Sequence, residues 1–447
     1  MGNTNSFVRH LQDVFSVWMG RSSEAGDVAG SAAEDAASSS SPQLPAYLAQ
    51  LSAYVTQPNL VGEVGSESVE QQIEQSKSHW SQLTEFDSDF SDENVKADNM
   101  KVFLALQSHP RWGMFFQTFG YDTKVFWSSG RLTIGHKFAE GGQAELFSTK
   151  VYWSKSEDNE RDRQYGREWV LKVFKKGTRL RHLQCQWPCG MLKFKEEEMA
   201  NWKSSTPKRY PRFFCSVDCG TLLKGGRFAF LMKKEHLDLR RLIDDKMKLI
   251  STTNSGPFSK CDAEELMFDV ALGMSWLHNR DIVHRDLKAS NVLVKVHVHS
   301  GFQCFVADYE CSIGVVGTGL FRAPEILEAC RDDSVSKRPE LFTMASDAYS
   351  YGMTCYEILT GKLPFDGHLG NDYVDVVISG KRPEVPKYVE EWVHKLLSDC
   401  WQHDPAKRPS FGEIVNLIYS NSFRIGRSIK SRFYRVEKMD WIKLEGL

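Results

Sequence analysis

The chain has 447 residues, 41% of them hydrophobic and 26% charged, with a formal net charge of −2. The length admits one large or two to three ordinary domains, and the composition is ordinary for a soluble globular protein. Near-neutral charge argues against nucleic acid as a general partner. The ten cysteines, from Cys185 to Cys400, include no C-x-x-C pair, and the wider pairs Cys185/Cys189 and Cys215/Cys219 read as free thiols of a reducing compartment rather than a metal clip. No apolar run approaches a membrane span and no secretory pattern opens the chain, so the expected place is the cytoplasm or the cytoplasmic face of the plasma membrane.

The opening residues, MGNTNS, fit the M-G-x-x-x-[ST] myristoylation pattern through Gly2 and Ser6. Phe7, Val8, Leu11, Val14, Phe15 and Trp18 then fall on one helical face. One myristoyl chain holds a membrane only marginally, and the first cysteine is as distant as Cys185. The amphipathic helix over 7–18 is therefore the expected second signal. The alternative is that this helix docks on the body of the protein.

Residues 1–20 are thus read as an anchor, 21–43 as a flexible Ser/Ala-rich linker, and 44–130 as a helical extension. Helical spacing in the extension covers LPAYLAQLSAYV, VEQQIEQSKSHW and the stretch from Asp98 to Phe119, the last interrupted at His109-Pro110. Thr84 to Asn94 is acidic and reads as a solvated loop, with Ser88 and Ser91 as possible phosphorylation sites. From Arg131 the texture changes to β-type runs: RLTIGHKF, AELFSTKVYW, REWVLKVFK and RFAFLMKK. Past Cys261 it turns helical, as in AEELMFDVALGMSWLHNR. Strands first and helices second indicate an α+β fold in two lobes.

Asp281 to Lys295 reads DIVHRDLKASNVLVK. The run His284-Arg285-Asp286-Leu287 followed by Asn291 resembles the catalytic loop of eukaryotic protein kinases. The phosphoryl transfer that this resemblance implies needs a carboxylate to orient the attacking hydroxyl, hard oxygen ligands for a cation, and positive charge on the phosphates. Asp286, Asn291 and Lys288 of the loop, with Asp308 and Lys172 elsewhere in the chain, would supply these groups. WVLKVFKK places Lys172 where that family's third-strand lysine contacts phosphates, and Ala323-Pro324-Glu325 closes an activation segment that begins at Asp308. The resemblance covers roughly 131–420, read as the kinase domain, and its closing region looks most like the tyrosine-kinase-like branch that includes many plant kinases.

The resemblance implies a small β-rich N-lobe and a large helical C-lobe, with ATP and Mg2+ bound between them. It implies Asp286 as catalytic base, Lys288 and Lys172 as phosphate cations, and Asn291 and Asp308 as metal ligands. Asp347 would accept backbone N–H groups of the catalytic loop, and Arg408 would pair with Glu325. Phe138, Gly141, Gly142, Leu146, Val170, Met232 as gatekeeper and Leu293 would line the nucleotide pocket. Lys288 and Thr318 match the serine/threonine-specific form, so the expected substrates are protein serine and threonine hydroxyls.

Several positions depart from the family. The glycine loop reads Ala139-Glu140-Gly141-Gly142-Gln143-Ala144-Glu145-Leu146, with the middle glycine kept and alanine at the outer two. The glutamate expected to pair with Lys172 is one of Glu196, Glu197 and Glu198. Phe194 and Trp202 share a helical face with Glu198, which selects it. The expected Asp-Phe-Gly reads Asp308-Tyr309-Glu310. Tyr309 fills the phenylalanine slot if its hydroxyl finds a partner. Glu310 adds a second carboxylate near the metal aspartate, strains any positive φ, and restricts motion at this switch.

The segment from Asp308 to Glu325 has 18 residues, and Ser312 is its candidate acceptor for an activating phosphate on Arg285. Control is expected elsewhere, in the N-terminal region or through membrane recruitment. The basic tail, 421–447, contains FRIGRSIKSRFYRV, suited to an anionic membrane or an acidic partner, or to packing on the lower lobe. The readings are an active serine/threonine kinase or, on the altered glycine loop and Glu310, a pseudokinase scaffold; phosphorylation of a small molecule is disfavoured by the intact GTGLFRAPE platform. An acyl anchor predicts that Gly2→Ala shifts the protein from the membrane to the soluble fraction on cell fractionation; an unchanged distribution removes the anchor.

Overall fold

The structure is a computed structural model, and it describes residues 93–110, 113–119, 130–153, 167–202, 213–235, 237–250, 255–297, 301–366 and 372–422. The expected anchor over 1–20, the linker over 21–43 and the tail from 423 onward lie outside those residues.

The β-type runs form a five-stranded antiparallel sheet in the order β1-β2-β3-β5-β4. Its strands are β1 (Gly130–Glu140), β2 (Ala144–Trp153), β3 (Arg167–Phe174), β4 (Val217–Leu222) and β5 (Phe228–Lys233). Four match the expected runs. β4, VDCGTL, carries too little alternation to be read as a strand, and pairing with β5 makes it one. Side chains of a strand alternate between faces. Leu171, Val173, Phe147 and Leu231 accordingly build a cluster on one face, while Phe174, Phe228, Phe230 and Met232 join the main core on the other.

β4 is an edge strand, and unpaired edges invite foreign strands. The N-terminal extension covers it. Helix α1 (Glu93–Gln107) stops just before His109-Pro110, and a short turn, Gly113–Phe115, follows. Phe116 then bridges Gly220 in parallel, with the Gln117 N–H donating to the Gly220 carbonyl at 2.9 Å. Phe115 and Phe116 enter the main core and Phe119 the opposite cluster, so this segment wraps the edge of the sheet. Phe116 stacks on Trp187, with centroids 5.7 Å apart. Asn99, fully buried, donates to the Thr178 and Gly226 carbonyls and accepts from the Leu180 N–H at 2.7 Å. The α1 backbone also comes so near Gly226 that a Cβ there would lie 2.9 Å from Lys96 Cα.

Two helices follow β3: α2 (Leu180–Gln184) and α3 (Cys189–Trp202). Next come β6 (Leu237–Asp238) and α4 (Leu239–Lys248), capped by Asp238, whose carboxylate accepts from the Arg241 N–H. α5 (Lys260–His278) is capped by Ser259 and buried along most of its length. β7 (Val292–His297) and β8 (Gly301–Val306) complete a three-stranded sheet with β6. Beyond them lie α6 (Pro324–Arg331), α7 (Met344–Thr360), α8 (Asp372–Ile378), α9 (Glu391–Cys400) and α10 (Phe411–Asn421). α7 starts in a capping box of Thr343 and Ser346 and ends at Gly361 with φ 75°. Buried on nearly every side, α7 is the spine of the helical lobe.

Asn99→Ala removes one acceptor and two donated bonds inside this core. It should cost about 2–4 kcal/mol of unfolding free energy, since buried partners are left unsatisfied. Urea unfolding of the purified chain measures it, and a loss under about 0.5 kcal/mol would mean that the extension is not docked through this residue.

Candidate active site

The catalytic-loop segment lies between α5 and β7, and one buried carboxylate sets its shape. Asp347, on α7, is fully buried and accepts from the backbone N–H of His284 at 2.7 Å and of Arg285 at 2.9 Å. Its Oδ2 also lies 2.9 Å from His278 Nε2. These bonds hold Arg285 at φ 68°, a conformation unfavourable for a residue with a Cβ. His284 Nε2 donates to the Ala307 carbonyl at 2.7 Å, and its Nδ1 accepts from the Asp286 N–H at 3.3 Å, which selects the Nε2–H tautomer. The Ala307 N–H in turn donates to the Asn291 carbonyl. The loop and the residue before Asp308 are therefore one hydrogen-bonded unit.

Both oxygens of Asp286 are held. Thr318 Oγ1 donates to Oδ1 at 2.6 Å, and Lys288 Nζ and Asn291 Nδ2 donate to Oδ2 at 2.9 and 3.0 Å. Lys288 also reaches Thr318 Oγ1 at 2.5 Å. A carboxylate so fixed keeps a defined direction toward an incoming hydroxyl. Asn291 spends its side-chain N–H groups on Asp286, which leaves its side-chain oxygen Oδ1 free to face a cation. That oxygen and the half-exposed Asp308 carboxylate are the hard-oxygen groups that would hold Mg2+.

Lys172 projects from β3 opposite Leu146 of β2 and Phe230 of β5. Its Nζ lies 2.9 Å from Asp308 Oδ1 and 2.7 Å from Glu310 Oε1. Burial pulls the lysine pKa down, but attraction to Asp308 and Glu310 outweighs it and holds the ammonium well above its ordinary value. The Lys172 charge likewise lowers the Asp308 pKa against the opposing effect of burial.

The glutamate assignment on α3 is corrected by this geometry. Glu198 pairs with Lys195 at 2.8 Å, and Glu197 lies 3.4 Å from Arg280 Nη2. Lys195 is almost wholly buried beside Phe115 and Phe194, so it needs a counter-charge and takes the carboxylate one helical turn away. Gly190 docks α3 tightly: a Cβ there would sit 1.8 Å from the Arg280 carbonyl oxygen. Glu310 is not among the residues at positive φ, so it carries none of the strain expected there, and its carboxylate faces the lysine.

The expected pocket residues lie on the sheet and on β7. Val170 faces Met232 in register, Met232 is buried, and Leu146 and Leu293 are partly buried. Phe138 is exposed. Gly141 and Gly142 form the β1–β2 turn at ordinary φ, and a Cβ at Gly142 would meet nothing within 4 Å. Lys137 spans Glu140 and Glu145 at the base of the turn, at 2.8 and 3.1 Å.

In the activation segment Tyr309 is buried, and its hydroxyl donates to the Cys215 carbonyl at 3.0 Å. Ser312 is buried to 1% exposure, which corrects its reading as a phosphate acceptor: a kinase cannot reach it in this conformation. Arg285 lies over the Phe342 ring at 4.7 Å. The segment ends on a bidentate pair in which Arg408 donates twice to Glu325 at 2.8 Å.

Residues 222–418 match the family model described as protein tyrosine and serine/threonine kinase. Over those residues the chain matches a protein kinase domain. A light-sensor protein kinase of Ceratodon purpureus is 32% identical over 230 residues, 45% of this chain and 17% of that protein. Serine/threonine-protein kinase STY17 of Arabidopsis thaliana is 34% identical over 171 residues, 37% of this chain and 28% of its own length. The tyrosine kinase receptor Cad96Ca of Drosophila melanogaster is 31% identical over 167 residues, 37% of this chain and 21% of the receptor. The chain thus spans less than a third of the length of each of these relatives.

The residue missed by sequence reasoning is Glu310 as partner of Lys172. The signal was present: a carboxylate flanked by Tyr309 and Cys311 in an apolar run has to find a cation. The pair has a pH signature. The depressed Asp308 contributes stability above the ordinary aspartate range near ~4, lost as pH falls through its lowered value. The raised Lys172 contributes below the ordinary lysine value near ~10.4, lost as pH rises through its elevated one. Melting temperatures should therefore show Lys172→Met most destabilised between these limits, with its deficit shrinking below pH ~4; a deficit independent of pH would mean that no ion pair is present.

Proposed function

We propose that this protein transfers the γ-phosphoryl group of ATP to serine or threonine hydroxyls of protein substrates in intracellular signalling. The observation that carries the reading is the Asp286 carboxylate, held by Thr318 on one oxygen and by Lys288 and Asn291 on the other. Asp286 orients the acceptor hydroxyl and takes its proton. Lys288, beside it, places positive charge where the phosphoryl group passes. Lys172 draws the nucleotide phosphates toward the sheet, and Val170, Met232 and Leu293 offer apolar surface to a base. Asn291 and Asp308 would hold Mg2+, which when bound neutralises phosphate charge.

Preference for serine and threonine rests on the Lys288–Thr318–Asp286 triangle and on relatives named as serine/threonine kinases. The acyl pattern at Gly2 and the amphipathic spacing of residues 7–18 support tethering at the cytoplasmic membrane face. The second reading, a scaffold that binds nucleotide weakly, is favoured by Lys172 being engaged by two carboxylates.

The test is radiolabelled phosphate transfer from Mg2+-ATP by the purified chain to protein and peptide acceptors, with phosphoamino-acid analysis. Asp286→Asn should lower kcat by about 10²–10⁴-fold. Phosphotyrosine alone as product would refute the acceptor class. Wild-type transfer at the background of Asp286→Asn would leave only the scaffold.

A further inference from the structure

We propose that Glu310 is the positioning residue for Lys172, so that the phosphate-binding lysine is anchored from the activation segment and not from helix α3. The kinetic consequence rests on the phosphotransfer reading above; the contact itself rests on geometry. Lys172 makes its ion pairs with Asp308 and Glu310, and the shorter one is to Glu310. Glu310 is fully buried, and its second oxygen, Oε2, has no hydrogen-bond partner among the described residues. A carboxylate in that setting depends on its one cation, and the dependence is mutual because Lys172 is only 13% exposed.

Glu197 and Glu198 of α3 are engaged elsewhere. Glu198 neutralises buried Lys195, and Glu197 faces Arg280, whose guanidinium packs over Trp276 at 4.1 Å. The helix is therefore held by its own contacts with the N-terminal extension and with the end of α5. On the other side, Glu310 is fixed by its neighbours. Tyr309 is tied to the Cys215 carbonyl, and the Ile313 N–H donates to the Gln186 carbonyl at 3.1 Å. Between these two ties the Glu310 carboxylate has little freedom to leave the lysine.

This arrangement changes what an activating motion has to do. Rotation of α3 would leave Lys172 anchored. Displacement of residues 308–311 would release the lysine and move Asp308 in one step, so lysine position and metal-ligand position are coupled through a two-residue spacing. The glutamate at this position thus performs a task and is not a tolerated loss of glycine.

A double-mutant cycle on the full chain tests the contact without any turnover. Melting temperatures of Lys172→Met, Glu310→Gln and the double variant should show a combined loss smaller than the sum of the single losses. The parallel cycle of Lys172→Met with Glu198→Gln should be additive. In steady-state kinetics, Glu310→Gln should raise KM for ATP about tenfold, the size of one lost charge-assisted hydrogen bond, with a smaller change in kcat. Additivity at 310, or coupling at 198, overturns the proposal. So does a Glu310→Gln enzyme that is faster than wild type, because the contact would then be an inhibitory clasp. Coupling at 310 in a wild type that transfers no phosphate supports the anchor and removes the phosphotransfer reading, so the two failures are distinguishable.

Discussion

A buried ammonium flanked by two carboxylates ties the sheet of this protein to its helical lobe. Lys172 stands on the central strand β3, whereas Asp308 and Glu310 follow β8 of the small second sheet. One lysine facing one carboxylate in such a place would barely offset the loss of hydration of both ions. A second carboxylate deepens the attraction, and the raised lysine pKa expresses that balance. The cost falls on Glu310, whose Oε2 is left without a hydrogen-bond partner among the described residues.

The same logic of buried charge recurs around the loop that carries Asp286. Asp347 shapes the catalytic loop by accepting from two backbone N–H groups, and Glu357 accepts from the Ala289 N–H and from Arg240. Both belong to α7 and are fully buried, so neither carboxylate has water to fall back on. Each accepts from at least one backbone N–H of the loop that carries Asp286. The catalytic geometry is thereby tied to the most buried helix of the fold. The N-terminal extension plays a comparable part for the sheet: its aromatic residues cover the β4 edge, and its Phe115 lies beside buried Lys195, so α3 is seated partly by residues outside the kinase-like segment.

Much of the candidate site was legible in the order of residues because its parts are local or chemically constrained. His284 to Asn291 form one loop, and the roles of Asp347 and of Arg408 with Glu325 follow from short motifs. β4 was not legible, since its pairing partner and not its own pattern makes it a strand. Ser312 carried a hydroxyl at a suggestive place, but its burial depends on how the segment folds back toward the α2–α3 turn. Glu198 was selected by helical phase, and helical phase says nothing about a competing cation one turn away on the same helix.

By itself the amino-acid order determined the strand-then-helix layout, the loop from His284 to Asn291, and which groups the proposed phosphate and cation chemistry would draw on. These depend on periodicity and on side-chain chemistry, which neighbours along the chain express directly. Which acid meets Lys172 was decided only in three dimensions. Charge pairing in a low-dielectric interior goes to whichever opposite charge the packing brings within about 3 Å, and 138 residues of chain separate Lys172 from Glu310.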